Sequence, residues 1–493
     1  MKKFAFLALV AVLVVALAAP AIAETKIGGS YRIRGVYWDQ GLNNGKFIDR
    51  SGETDSTING IGRYFDNRLR LNIDSEVTDT LAIHVEADSG LGYNGRNGDF
   101  QNPAATPDSY DGMWNAGGSF INLPEASVAD RDVNGVDAGH DIVFQQAYMD
   151  FATPIGAFSL GRQWSFWGMG LMVGENRNRL AWSYKMPQIQ IGAGYDKFFE
   201  GDSVAGAFTK NDDQDNYFAW ALYEGPNFQI GPYFEYTHAD TISLNGTPVD
   251  VLPVVTDLGL EGANTWGVSI FGNATFGPLA LTAEFAYRGG SADLVTAQGG
   301  LTEVDFNSWA AAGRGTYELP MMTVGAEVGY LTGQDPDENN EIQAFMTPFS
   351  FSPFAILGEL AINGMDLLGN ASYMSSGSHP RGSYSDFCSN MIYGKAFLQA
   401  SPLPKLDAYL GIGYAQAAQD RADTGTNELG TEIDLSLTYA ITPNLTYNFT
   451  GGYLFLGDFY NNGDLARNIG GAPLGTADPE DAMLAVHSIT INW

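Results

Sequence analysis

The chain of 493 residues holds one cysteine, Cys388, so no internal disulfide framework braces it. Histidine is equally sparse. His84, His140, His238, His379 and His487 are scattered without metal-ligand spacing, and no metal or cofactor is expected. Basic residues are few: 25 Lys and Arg stand against 57 Asp and Glu, a formal charge of −32, which argues against nucleic acid as a partner. After the first two dozen residues there is no apolar run of the ~20 residues that a spanning helix needs. No Ser/His or acidic constellation with catalytic spacing is present, and the chain reads as a non-enzyme. A strong acidic excess by itself would suggest disorder, but 45% apolar content with 24 Tyr and 29 Phe points to an ordered protein.

The N-terminus has the pattern of an export signal. Lys2 and Lys3 precede an apolar stretch from Phe4 to Ala19, and Ala21-Ile22-Ala23 is a small-x-small cleavage site. Residues 1–23 are therefore expected to be a signal peptide, with the mature chain 24–493 forming one unit.

The dominant period in that unit is two. Leu445, Tyr447 and Phe449 alternate with Thr446, Asn448 and Thr450; Ile433, Leu435, Leu437 and Tyr439 alternate with Asp434, Ser436 and Thr438. Segments of about ten residues are joined alternately by tight turns and mostly long connections, the rhythm of a transmembrane barrel. Tight turns are expected near 78–80, 154–156, 187–188, 225–227, 277–278, 319–320, 402–404 and 443–444, nearly all rich in Gly, Pro or Asn. The hairpins around them, with a first strand near 27–38 and a last near 481–493, predict an all-β, antiparallel up-and-down barrel of about 18 strands. Segment 333–389 is taken as a long outer loop; a strand pair within 349–360 would change the count, and 16 or 20 strands stay open. The acidic residues cluster mostly in the long connections, including one at 289–305 and a short one at 168–178.

Two stretches carry a family resemblance. Gln146-Ala-Tyr-Met-Asp-Phe151 followed by Gly156-Ala-Phe-Ser-Leu-Gly-Arg-Gln163 resembles a hairpin of the general bacterial porins, as does 68–86 around its tight turn. The C-terminal strand resembles that of outer-membrane barrels, with Ile489, Ile491 and Trp493 on one face as the assembly signal. The resemblance implies a β-barrel in the outer membrane of a Gram-negative bacterium, in contact with its lipids and its barrel assembly machinery. It implies a homotrimer and a water-filled channel for passive diffusion of small hydrophilic solutes and ions. A substrate-specific channel for a sugar, organic acid or anion, and a non-conducting surface or adhesive protein, are the alternatives. In the family the arginine of Gly-Arg-Gln lies at the pore constriction, which implies that place for Arg162. The family's inward third loop is short here, so the constriction is expected from 89–140 or 333–389.

With lipid outside, the polar parity of each strand faces the lumen, because a charge on the lipid face near the midplane costs about 2–4 kcal/mol. This rule predicts a basic pore-lining wall of Arg32, Arg34, Arg68, Arg70, Arg179 and Lys185, with Arg162 joining if a bulge at Gly161 turns it inward. It predicts an acidic wall of Glu235, Glu284, Glu327, Asp407, Glu432 and Asp434. The two walls either set up a transverse field or pair locally, for instance Arg70 with Glu86. Tyr31, Tyr439, Tyr447 and Tyr453 fit an interfacial girdle better than a sugar-binding surface, while aromatics within the lumen stay open.

Overall fold

The computed structural model describes residues 24–39, 61–89, 142–199, 214–243, 259–298, 301–335, 340–348, 351–357, 388–420, 426–460 and 481–493. The expected signal peptide and connection 89–140, apart from its first residue, lie outside them. No described helix is long and apolar enough to cross a membrane.

The chain is a succession of antiparallel hairpins. After β1 (Glu24–Asp39) come β2 and β3 (Ile61–Thr78, Leu81–Ser89), β4 and β5 (Ile142–Thr153, Gly156–Phe166), and β6 and β7 (Gly174–Lys185, Ile189–Phe199). They are followed by β8 and β9 (Gln214–Glu224, Phe228–Ser243), β10 and β11 (Gly259–Phe276, Leu279–Gln298), and β12 and β13 (Leu301–Leu319, Met322–Leu331). The two-residue β14 (Glu341–Ile342) precedes β15 and β16 (Met391–Leu403, Leu406–Gln416), β17 and β18 (Glu428–Thr442, Leu445–Leu456) and β19 (Ala482–Asn492). Each wall strand pairs with its neighbours in sequence, and β1 pairs with both β2 and β19, so the sheet closes on itself. β14 runs parallel to β12 beyond the end of β13 and is not part of the wall, which leaves 18 strands. An even count puts Glu24 and Trp493 at the end that carries the short turns, the periplasmic end in bacterial barrels.

All the expected tight turns are found between paired strands. Within 349–360, the described residues 351–357 form bends and a turn rather than a strand pair. One expected connection is different: most of 289–305 is strand, because β11 runs to Gln298 and β12 starts at Leu301. Apolar alternation marks only the part of a hairpin that meets lipid; above it, paired strands continue with residues of any polarity.

The register sets like faces side by side. Ile33 stands opposite Ile489 and Tyr31 opposite Ile491 across the closing seam, and Leu435 stands opposite Leu410. All six are exposed on the outside, Ile33 at 47% and Leu410 at 49%, while the alternate residues Arg34, Glu432 and Asp434 are buried. Exposed apolar bands of this kind have no aqueous partner and need hydrocarbon. Trp493 completes the closure: its backbone exchanges hydrogen bonds with Gly29 (3.1 and 3.2 Å) and its indole lies against that glycine.

Candidate functional site

The lumen is not an empty tube. Two connections fold into it and form a hydrophobic cluster with inward-facing side chains of the wall. The first is the short link between β5 and β6, residues 167–173. Gly168 and Gly170 adopt positive φ (62° and 89°), and Trp167 N–H donates to the Val173 carbonyl at 3.0 Å, so the chain makes a tight inward loop. Leu171, Met172 and Val173 are fully buried. The second comprises the described residues 340–357, carrying Phe345, Phe351, Phe354, Ile356 and Leu357 into the interior. Leu429, Leu454 and Leu484 of the wall face inward to meet that cluster. Shortness did not keep the 167–173 loop out of the lumen, contrary to the sequence expectation, because its two glycines supply the turn that length would otherwise provide. The described part of 333–389 does fold inward, as that expectation allowed.

Two carboxylates hold these segments by their backbones. Glu284 on β11 accepts hydrogen bonds from Met169 N–H (2.5 Å) and Leu171 N–H (3.3 Å) with one oxygen, and from Ser269 Oγ (2.7 Å) with the other. Successive amides around a carboxylate make an anion nest, here formed by the loop around a side chain of the wall. Glu432 on β17 does the same for the second segment, accepting from Ile356 N–H at 2.7 Å and Leu357 N–H at 2.9 Å. Lys395 on β15 donates to the Pro353 carbonyl at 2.5 Å. Thr347 exchanges hydrogen bonds with the backbone of Cys388, whose thiol is buried. Arg288 on β11 joins the two: one guanidinium nitrogen donates to the Met346 carbonyl (2.6 Å) and the other to the Met172 carbonyl (3.3 Å), with the group 4.9 Å from the Phe345 ring.

Several of the remaining expected pore-lining charges are engaged at short range. Arg70 grips Asp88 with two hydrogen bonds (2.7 and 2.8 Å) and lies 2.8 Å from Glu86. Arg179 grips Asp196 the same way (2.6 and 2.8 Å) and stacks on Phe218. Arg177, fully buried beside it, reaches Glu175, Asp196 and Glu235. Glu327 takes Arg314 and the Tyr393 hydroxyl. Arg32 stands directly opposite Arg68, and Arg34 is 4% exposed. Lys185 and Asp407 lie near the short turns, the first paired with Glu224 and the second accepting from Ser401 Oγ. Asp434 is adjacent to Glu432 and buried. Gly161 has φ 122°, yet the β5–β6 register passes through it without a slip, and Arg162 stands opposite Asn178 rather than being turned by a bulge. His84 sits on the lumen parity with Nδ1 2.7 Å from Asp74, and exposed His487 lies beside Tyr447 on the outer face.

Parity alone did not find the aromatics in the lumen. Phe218, Trp220, Tyr233 and Phe271 project inward from β8, β9 and β10 around Trp167 of the first segment, whose ring centroid lies 5.6–6.2 Å from those of Trp220, Tyr233 and Phe271. On β8 both faces carry aromatics, Tyr217 outside and Phe218 inside, so the alternation is invisible there. The usable signal was on β7: Gly192 and Gly194 share the inward parity, and any Cβ at those positions would strike the rings of Trp220 and Phe218. A cavity of about 830 Å³ lies below, running from Thr78, Asp79 and Thr80 at the short turns up to Trp167, Gly168 and Val173.

No protein-family model matches the chain, and no curated protein matches it in sequence. Several solved structures are similar in shape. OccAB4 of Acinetobacter baumannii matches at 12% identity over 95% of this chain and 98% of its own, with a TM-score of 0.49. OccK1 (OpdK) of Pseudomonas aeruginosa matches at 11% over 95% and 99%, with a TM-score of 0.48. OmpT, an outer membrane protein of Vibrio cholerae, matches at 11% over 96% and 98%, with a TM-score of 0.39. The strand pairing and the lipid-compatible outer face of this chain carry the conclusion: it is a porin-like β-barrel of the Gram-negative outer membrane.

Proposed function

We propose that the barrel is a channel for small hydrophilic solutes whose aperture is set by the two inward segments, which makes it narrow and selective rather than a wide diffusion pore. The observation that carries this reading is the position of Arg288, hydrogen-bonded at once to Met172 of one segment and Met346 of the other. A wide aqueous pore gains nothing from such a tie, whereas a constriction needs its walls held in place. Charges of the wall such as Arg32, Arg34, Arg68, Arg70 and Glu327 keep water in the lumen, while Glu284, Glu432 and Arg288 fix the segments. The working assembly is proposed to be a homotrimer, in keeping with the porin resemblance.

Single-channel recording in planar bilayers tests the proposal, with reversal potentials in a salt gradient for charge preference. The expected result is a small, discrete conductance that grows when residues 168–172 are deleted. A membrane that stays closed at every protein concentration would favour a non-conducting surface protein, and a large conductance indifferent to that deletion would remove the constriction.

A further inference from the structure

The cavity on the periplasmic side of the first inward segment has two sides that differ in chemistry. On the β8–β10 side it is faced by Trp220 and Phe271, with Trp167 of the inward segment packed against them. On the β5–β7 side it is faced by Ser159, Gln163, Ser183 and Gln190. Gly192 leaves no room for a Cβ beneath the indole of Trp220, which therefore lies flat on the wall and shows its face to the cavity.

The charges restrict the occupant further. Of the residues lining the cavity, Arg179 is the sole Lys or Arg, and Asp196 already holds it by two hydrogen bonds. Glu76 and Asp79 lie towards the short turns, and Asp150 stands opposite Ser159. An anionic solute would meet acidic groups on entry and no uncommitted cation inside. A neutral solute with one apolar face and a polar edge would meet a partner on each side: a flat ring for its C–H face, and amide and hydroxyl groups for its hydroxyls.

We propose that this cavity is a binding site for a neutral pyranose sugar, a mono- or disaccharide, stacked on Trp220 and hydrogen-bonded from the Ser159–Gln163 side. The inference deepens the channel reading, on which it depends for the route a sugar takes but not for binding itself. The cavity, at about 830 Å³, is of the size of ordinary ligand pockets.

The experiment uses the purified barrel in a polyoxyethylene detergent, which carries no sugar headgroup. Tryptophan fluorescence is titrated with maltose and glucose, with mannitol as an acyclic polyol and benzoate as an aromatic anion. Conductance block by the same solutes is read in planar bilayers. Maltose or glucose should give a saturable change that mannitol and benzoate do not. Trp220→Ala should weaken it at least tenfold, and Trp266→Phe on the lipid face should leave it unchanged. If Trp220→Ala fails to fold, Gly192→Ala, which displaces the indole without removing it, should also weaken binding. Saturable sugar binding in a barrel that never conducts would support the site and sink the channel reading. No saturable response to either sugar, tighter binding of benzoate, or undiminished binding in a folded Trp220 or Gly192 variant would overturn the site.

Discussion

Replacing Arg288 with alanine should loosen the constriction without dissolving the barrel. Three contacts disappear: the 2.6 Å hydrogen bond to the Met346 carbonyl, the longer one to Met172 at 3.3 Å, and the guanidinium over the Phe345 ring. A hydrogen bond to a charged donor contributes about 1.5–3 kcal/mol and a cation–π contact about 0.5–2 kcal/mol. The longer bond adds little, and the 3.9 Å approach to Glu235 lies within the wall, where Arg177 remains to hold that carboxylate, so its loss leaves the hold on the segments unchanged. A net loss of about 2–4 kcal/mol would raise the population of displaced segments roughly 30- to 1,000-fold. The wall strands keep their own backbone pairing, so the folded yield should fall little. Two assays read the effect. Conductance should become larger and noisier, and Met172→Cys, placed in a Cys388→Ser background, should become reactive to a water-soluble maleimide only when Arg288 is absent. The second assay does not require conduction. If Met172→Cys labels at the same slow rate with and without Arg288, and current noise is unchanged, the tie between the segments does not hold them.

Glu284→Ala should have a similar but more local effect. It strips the acceptor from the Met169 and Leu171 amides, costing about 1–3 kcal/mol for each amide left buried, and Glu284→Gln should restore part of the protection from labelling. Gly29→Leu should impair barrel closure, because a Cβ there meets the Arg70 carbonyl and the Trp493 indole; the heat-modifiable band on SDS gels should lose intensity, and an unchanged band would contradict the seam. Leu435→Arg, on the lipid face, should destabilise the barrel in vesicles by about 2–4 kcal/mol in urea unfolding, with a smaller effect predicting that this position is not at the membrane midplane.

The architecture was legible because the bilayer imposes a simple rule. Hydrocarbon outside and water inside write polarity into every second residue, so Ile433, Leu435 and Tyr439 declared their face and Glu432 and Asp434 the other. Turn chemistry at 154–156, 277–278 and 443–444 then fixed where each hairpin reversed, and the strand count followed. Parity also brought Glu284 and Glu432 into the lumen, but it could not say what they hold there. Their partners are backbone amides of Leu171 and Ile356, and an amide is common to every residue type, so nothing in the side-chain pattern marks it. Parity put Arg288 in the lumen too, but the same limit hid its role, because its acceptors are the carbonyls of Met172 and Met346.

What the amino-acid order determined by itself was therefore the wall: its strands, its tight turns and which side of each strand meets lipid. What only the tertiary structure decided was the interior, namely which connections turn inward and which charges seize them. The wall is set by period and short-range turns, quantities local to ten or so residues. The interior is set by encounters between segments far apart in the chain, from 58 residues for Arg288 with Met346 to 115 for Glu284 with Met169, and by glycines whose meaning depends on the ring that lies over them.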